Sequence, residues 1–186
     1  GITKEVFMRA LDIDYAEVAE LGERMARALR GAREVRVLSR AGTDLRFSVE
    51  GREFGVDSGM YLRAGSWGNL PAGEVYVAPV EETGEGSVVV DGSVSSLGKL
   101  KEPLRIEVRR GRAVDIRGRG ADALKKILDA VNVEEAYNFP AEFGIGCNSA
   151  AKITEIVLED EKVYGTVHLA FEDNSTFGAV SYTHLR

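Results

Sequence analysis

The stretch LRIEVRRGRAVDIRGRGADALKKILDAV, Leu104–Val131, decides the fold class. Leu104, Ile106 and Val108 alternate with Arg105, Glu107 and Arg109, the period of a strand with one buried face. Arg110 to Arg112 turns the chain around Gly111, and a second alternating run follows through Ile116. The period then changes. Leu124, Ile127, Leu128 and Val131 fall on one stripe of a three-turn helix, as an amphipathic helix packed on a sheet requires. A hairpin running directly into a helix, with further strands on both sides, predicts an α+β fold: a largely antiparallel sheet with flanking helices.

Upstream, Tyr15, Val18, Ala19, Met25 and Leu29 recur at helical spacing after Asp14, a natural N-cap, and Gly31 ends the run. A shorter helix is predicted over Lys4 to Leu11, so residues 1–31 form a helical lead-in. Glu34 to Ser39 and Leu45 to Val49 alternate around a turn at Ala41 to Asp44, which reads as two strands. Residues 50–67, rich in Gly, Arg and Asp, carry no periodic signal. GNLPAGEVYVAPVE is a turn and a strand, and GSVVVDGSVSSLG reads as two short strands reversing at Asp91 and Gly92. Beyond the central helix lie two apolar stretches, Ile153 to Leu158 and Val163 to Phe171, and more strands are expected there.

A chain of 186 residues buries one good core without disulfides. Its 29% charged and 44% hydrophobic content is that of a globular protein. A net charge of −6 disfavours nucleic acid and anionic membrane surfaces as partners. No apolar run approaches the roughly eighteen residues of a membrane span, and the amphipathic start is unlike a signal peptide, so a cytoplasmic location is expected. The chain starts at Gly1 and ends at Arg186, which reads as a fragment of a larger two-domain protein.

Chemistry-bearing residues concentrate in AEFGIGCNSAAKITEIVLEDEKVYGTVH, Ala141–His168, which carries Glu142, Glu161 and His168 among glycines. GNLPAGE, Gly68–Glu74, adds Glu74 at the mouth of the apolar run Val75 to Ala78. Carboxylates and an imidazole are what a divalent metal takes. Each has a plainer reading. Glu159, Asp160 and Glu161 ahead of Lys162 form the kind of acidic run that usually makes a solvated turn, and a histidine between Val167 and Leu169 is more often a hydrogen-bonded core residue than a ligand. Glu142 differs, because a carboxylate in apolar, glycine-rich surroundings needs something positive beside it. Cys147, the single cysteine, reads as a small buried thiol before it reads as a nucleophile. GRGADALKK lacks the phosphate-loop pattern, and no G-x-S-x-G elbow is present. Asp44, in the turn motif GTDL, could support a site from behind its ligands.

Together, GNLPAGEVYVAP, EFGIGCN, LEDEK and GTVHLAFEDN resemble the catalytic half of the thermophilic-type metallo-aminopeptidases, the aminopeptidase T or leucyl aminopeptidase family, from about Asp14 to Phe177. The resemblance implies that Glu74, Glu142, Glu161 and His168 are metal ligands, with Glu142 shared by both ions and close to the attacking water. It implies a cofactor of two divalent ions, Zn, Co or Mn, a peptide substrate cleaved at its N-terminal residue, and a homodimer. The family's later His-x-Asp pattern is absent: the chain ends SYTHLR, and His184 is not equated with the missing ligand. Residues 1–186 are therefore expected to be a catalytic aminopeptidase domain incomplete at its C-terminus, with 179–186 foreign to it. Two other readings follow. One is a ring-cleaving dioxygenase of related architecture, acting on a dihydroxypyridine through a single Fe(II) held by two histidines and an aspartate. The other is an inactive, non-catalytic fragment.

Overall fold

The computed structural model describes residues 3–171 and the backbone of 182–185. The two predicted lead-in helices are present. In α1 (Lys4–Leu11) the Thr3 hydroxyl accepts from the Val6 amide at 3.3 Å, and in α2 (Tyr15–Leu29) the Asp14 carboxylate accepts from Ala16 at 2.8 Å. Each cap satisfies an amide that the first turn leaves without a helical partner.

The strands that follow are β1 (Glu34–Leu38), β2 (Asp44–Ser48), β3 (Gly55–Asp57), β4 (Glu74–Val77), β5 (Glu85–Val90), β6 (Ser93–Val94), β7 (Gly98–Lys99), β8 (Leu104–Arg109) and β9 (Arg112–Arg117). Then come α3 (Ala121–Val131), a single 3-10 turn (Glu134–Tyr137), β10 (Glu142–Gly146), a one-turn α4 (Val157–Asp160), β11 (Val167–Ala170) and β12 (Tyr182–Leu185). They form two sheets, β1-β2-β5-β8-β9 and β3-β4-β10-β11-β12-β6-β7. Every pairing between these strands is antiparallel. The fold is α+β, as the alternation of periods predicts. The expected foreign tail, 179–186, lies outside the described residues except for the β12 backbone.

Two local expectations are corrected. Asp91 and Gly92 do not close a hairpin: β5 lies between β2 and β8 in one sheet, while β6 pairs with β7 and β12 in the other. The three valines ending β5 are buried on both faces, so that strand needs a neighbour on each edge and the chain crosses between sheets at the DG pair. Ile153 to Leu158 is not a strand either. The amides of Thr154 and Glu155 are taken up by the Asp160 carboxylate at 2.7 and 3.2 Å, which removes the donors a sheet ladder would need.

The two sheets share one core. Leu45, Phe47, Val88 and Ile106 from the first meet Val77, Phe143 and Leu169 from the second, and Leu124 and Leu128 of α3 close the same cluster. Phe47 and Phe143 stack with ring centroids 5.4 Å apart at a tilt of 59°, a favoured aromatic geometry. On the second sheet, α2 packs Val18 against Val75 and Cys147. No helix among the described residues is long and apolar enough to cross a membrane.

Phe47 holds the two sheets together at their centre. Replacing it with alanine is expected to cost about 3–5 kcal/mol, seen as a lower urea midpoint with an unchanged slope.

Candidate functional site

Register places the functional side chains. In the second sheet Glu74 lies opposite Asp57 and Gly146, Tyr76 opposite Gly144, and Gly144 opposite His168. Because residues two apart in a strand share a face, Asp57, Glu74, Tyr76, Glu142, Gly144 and His168 share one face. The intervening residues Val56, Val75, Val77, Phe143 and Leu169 supply the apolar face that packs on the core. The E-x-G-I-G spacing thus has a physical origin: Glu and both glycines look toward the site, while Phe143 and Ile145 look away.

Gly144 is where the imidazole rests. A Cβ there would lie 2.0 Å from His168 Cε1, so only glycine lets the ring cross strand β10. Gly73, at φ +120°, packs against Asn148 and brings the chain into β4 in a conformation that favours glycine. Asn148 is fully buried and satisfied on both ends. Its Nδ2 donates to the carbonyls of Ala10 and Ala72, each at 3.0 Å, and its Oδ1 accepts from the amides of Ala150 and Ala151. This residue, not singled out by sequence reasoning, joins α1, the NLPAGE loop and the EFGIGCN segment.

All four expected ligands, Glu74, Glu142, Glu161 and His168, come together. His168 Nε2 lies 3.4 Å from Glu74 Oε2 and 3.8 Å from Glu142 Oε1. Glu161 reaches the same place from the end of α4. The acidic run is not a solvated turn. Glu159 and Asp160 are buried and fully engaged: Glu159 accepts from Arg9 at 2.7 Å and Thr154 at 2.7 Å, and Asp160 accepts from Ser93 at 2.6 Å. Asp44 is far from this role, since it pairs with Arg36 at the surface.

The residue that sequence reasoning passed over is Lys162. Its ammonium is fully buried and donates to Glu74 Oε1 at 2.5 Å and Glu161 Oε2 at 2.9 Å, with Asp57 Oδ2 at 3.8 Å. The only available signal was its position: a lysine at the end of an acidic run, ahead of an apolar strand. Burial works against the charged ammonium, yet Glu74 and Glu161 outweigh it and hold the pKa above its ordinary value. His168 follows the same balance, lowered by burial and raised by more through Glu142, Glu74 and Glu161. Burial pushes the carboxyls of Asp57 and Glu161 up, only partly offset by the Tyr61 hydroxyl on Asp57 and by Lys162 on Glu161.

Above this cluster opens a cleft of about 430 Å³, with Tyr61, Trp67 and Tyr76 on its walls and Asp57, Glu74 and Glu142 on its floor. The Tyr61 hydroxyl donates to Asp57 Oδ1 at 2.5 Å, which keeps the phenol protonated by raising its pKa together with burial.

Among the described residues, no three His, Cys, Asp or Glu side chains form a ready-made cage for an ion. The donor set nonetheless fits one edge of a metal site. Separations of 3.4 and 3.8 Å from His168 Nε2 to two carboxylate oxygens suit ligands each about 2.0–2.2 Å from a common ion. Glu74 Oε2 is buried and accepts no hydrogen bond among the described residues, which suits a cation neighbour.

A family model, NicX: 2,5-dihydroxypyridine 5,6-dioxygenase, matches residues 6–181. The chain belongs to this family. No curated protein sequence matches it. Among solved structures, the fold is similar to 2,5-dihydroxypyridine dioxygenase from Pseudomonas putida KT2440, with a TM-score of 0.82 at 21% identity, covering 98% of this chain and 57% of that one. It is also similar to AmpT from Thermus thermophilus, with a TM-score of 0.66 at 20% identity, covering 98% and 51%. The chain thus spans a little over half the length of these structures.

Membership in the NicX family overturns the aminopeptidase reading, and with it the hydrolase, protease and exopeptidase activity expected from the motifs. It favours the ring-cleaving dioxygenase that stood as the alternative. The quoted motifs misled because they encode architecture: the glycines and Asn148 build the crossing of β4, β10 and β11, and that crossing does not by itself specify a reaction. Family membership agrees with a metal cofactor.

Cys147 is buried against Met25, and burial with the nearby Glu74 charge pushes its thiol up to about 11. Iodoacetamide at pH 8 is therefore expected to leave Cys147 unmodified in the folded protein and to alkylate it fully in urea, as read by intact mass. Gly144→Ala is expected to displace the imidazole and lower stability by about 1–3 kcal/mol, read from the urea midpoint.

Proposed function

We propose that this domain is the site-bearing part of a metal-dependent dioxygenase that opens a small dihydroxylated nitrogen heteroaromatic ring. The observation that carries the reading is His168, buried beneath Glu74 and Glu142 at the floor of an aromatic-walled cleft, in a chain of the NicX family. We further propose a single ion rather than the two expected from the aminopeptidase resemblance. His168 would hold it with Glu142 or Glu74. The metal, when bound, supplies the place where a ring hydroxyl and dioxygen exchange electrons.

The chain's own residues handle binding and protons. Trp67 is 89% exposed at the cleft mouth, and with Tyr76 it offers flat faces for a ring. Glu142 Oε1, on the cleft floor, is placed to accept the proton of a ring hydroxyl as it becomes an anion. The Tyr61 phenol, held by Asp57, stays a donor and orients that carboxylate. Three carboxylates on the floor repel a ring that carries its own carboxylate and suit one bearing hydroxyl and N–H donors. Cleavage of the C5–C6 bond with both oxygen atoms entering the product leaves a carboxyl at C5 and a formyl group on nitrogen, with no outside reductant needed.

The protein, loaded with Fe(II) under nitrogen and then given dioxygen and 2,5-dihydroxypyridine, is expected to consume one dioxygen per ring lost. Isotopic oxygen should enter the product twice. His168→Ala should lower kcat/KM by more than about a hundredfold with the circular dichroism spectrum retained. Absence of oxygen uptake by the iron-loaded protein overturns the reading.

A further inference from the structure

Between β3 and β4 the chain runs along the cleft in a loop, residues 58–70, that leaves large apolar side chains bare. Met60, Leu62, Trp67 and Leu70 are exposed, an arrangement that marks a contact surface rather than a solvated turn. The base of the loop is fixed by the backbone and by α2. The Gly73 amide donates to the Asp57 carbonyl at 2.9 Å, and the Tyr15 ring lies against Gly59, where φ is +74° and a Cβ would strike it.

The tip is held differently. The Tyr61 hydroxyl donates to Asp57 Oδ1 at 2.5 Å and lies 3.0 Å from the Asn69 carbonyl, so one phenol ties both limbs of the loop to the sheet. A hydrogen bond of that length to a carboxylate is of the stronger, charge-assisted kind. The Tyr61 ring lies beneath Gly68, where a Cβ would fall on the hydroxyl. Gly68 and Asn69, the residues that the phenol holds, directly follow Trp67, and all three line the cleft whose floor carries Glu74 and Glu142. An indole this exposed has little packing of its own to fix it. Its placement comes from the backbone that carries it.

We propose that Tyr61 is a positioning residue: its hydroxyl clasps the tip of the loop to Asp57 and so holds Trp67 as the wall on which the aromatic ring of the substrate stacks. The inference rests on the reading of the cleft as the place of a small heteroaromatic ring, and adds the device that sets its wall. The occupant is a ring because the bare indole is continuous with the cleft floor, and a stacked ring covers the apolar face that solvent now meets. Since the clasp orders the loop before the ring arrives, losing it weakens binding more than it slows a bound substrate.

Trp67 is the single tryptophan of the chain, so its emission reports on this loop alone. Without metal or ligand, the fluorescence anisotropy of Trp67 is expected to fall in Tyr61→Phe, which keeps the ring and removes the hydroxyl, while the circular dichroism spectrum is retained. Calorimetric titration with 2,5-dihydroxypyridine, under nitrogen and with no added metal, is expected to show binding weakened about tenfold in Tyr61→Phe and in Trp67→Ala. Trp67→Phe, which keeps a flat face, should lose less than Trp67→Ala. With iron and dioxygen, Tyr61→Phe should raise KM and leave kcat within about twofold.

Equal anisotropy in the unaltered protein and Tyr61→Phe overturns the proposal, as does an affinity that Trp67→Ala leaves unchanged. A tyrosine that only stabilises the fold would lower the urea midpoint and leave affinity and KM alone, which also overturns it. So does an anisotropy that rises with protein concentration while the ring has no effect, the sign of a second copy covering Trp67. Should Tyr61→Phe fail to fold, Gly68→Ala decides, because its methyl group displaces the hydroxyl from an exposed position in the loop. Lower anisotropy and weaker binding are expected there too, and unchanged values overturn the proposal. The anisotropy comparison uses neither metal, dioxygen nor ring, so failure of the dioxygenase reading and failure of the clasp are told apart.

Discussion

The Lys162 ammonium, buried between Glu74 and Glu161, is the interaction on which the site depends. Taking an ammonium and several carboxylates out of water costs several kcal/mol per ion, and the loss is repaid only where short, well-formed hydrogen bonds replace hydration. That demand fixes where β4 and the end of α4 must lie. The backbone meets it by joining the segments directly: Asn148 donates its amide to the Lys162 carbonyl at 2.8 Å, and Cys147 donates to Gly73 at 2.8 Å. Charge pairing and backbone pairing therefore position the same residues.

The rest of the second sheet divides its labour by pleat. One face is apolar and packs on the first sheet and on α2, while the other collects charge beneath an aromatic cleft. A charged face beside a well-packed core is tolerable because Lys162 pairs with Glu74 and Glu161 and the cleft leaves Glu142 in contact with solvent. The uneven balance, with Asp57, Glu74, Glu142 and Glu161 against Lys162 and His168, leaves an excess of negative charge that a bound cation would offset. Glu142 is the least buried of the cluster residues at 16% side-chain exposure, in keeping with a group that meets solvent and ligand.

NLPAGE and E-x-G-I-G describe a backbone crossing in which glycine makes room for an imidazole and asparagine satisfies buried carbonyls.

The sequence by itself determined the local elements wherever a period was long or a cap explicit: α1, α2, α3, the β1–β2 and β8–β9 hairpins, and the α+β class. It also pointed to Glu142, because a carboxylate in glycine-rich, apolar surroundings is anomalous in any fold, whereas Glu74, Glu161 and His168 stood out as ligands only through the resemblance of their motifs. Only the tertiary structure decided that β5 and β6 belong to different sheets, that Glu159 and Asp160 are buried structural anchors, and that Lys162 lies at the centre of the cluster. The physical reason is common to all three. Periodicity and propensity are local, whereas the partner of a buried charge or a doubly covered strand is set by segments tens of residues away, such as the 88 positions between Glu74 and Lys162.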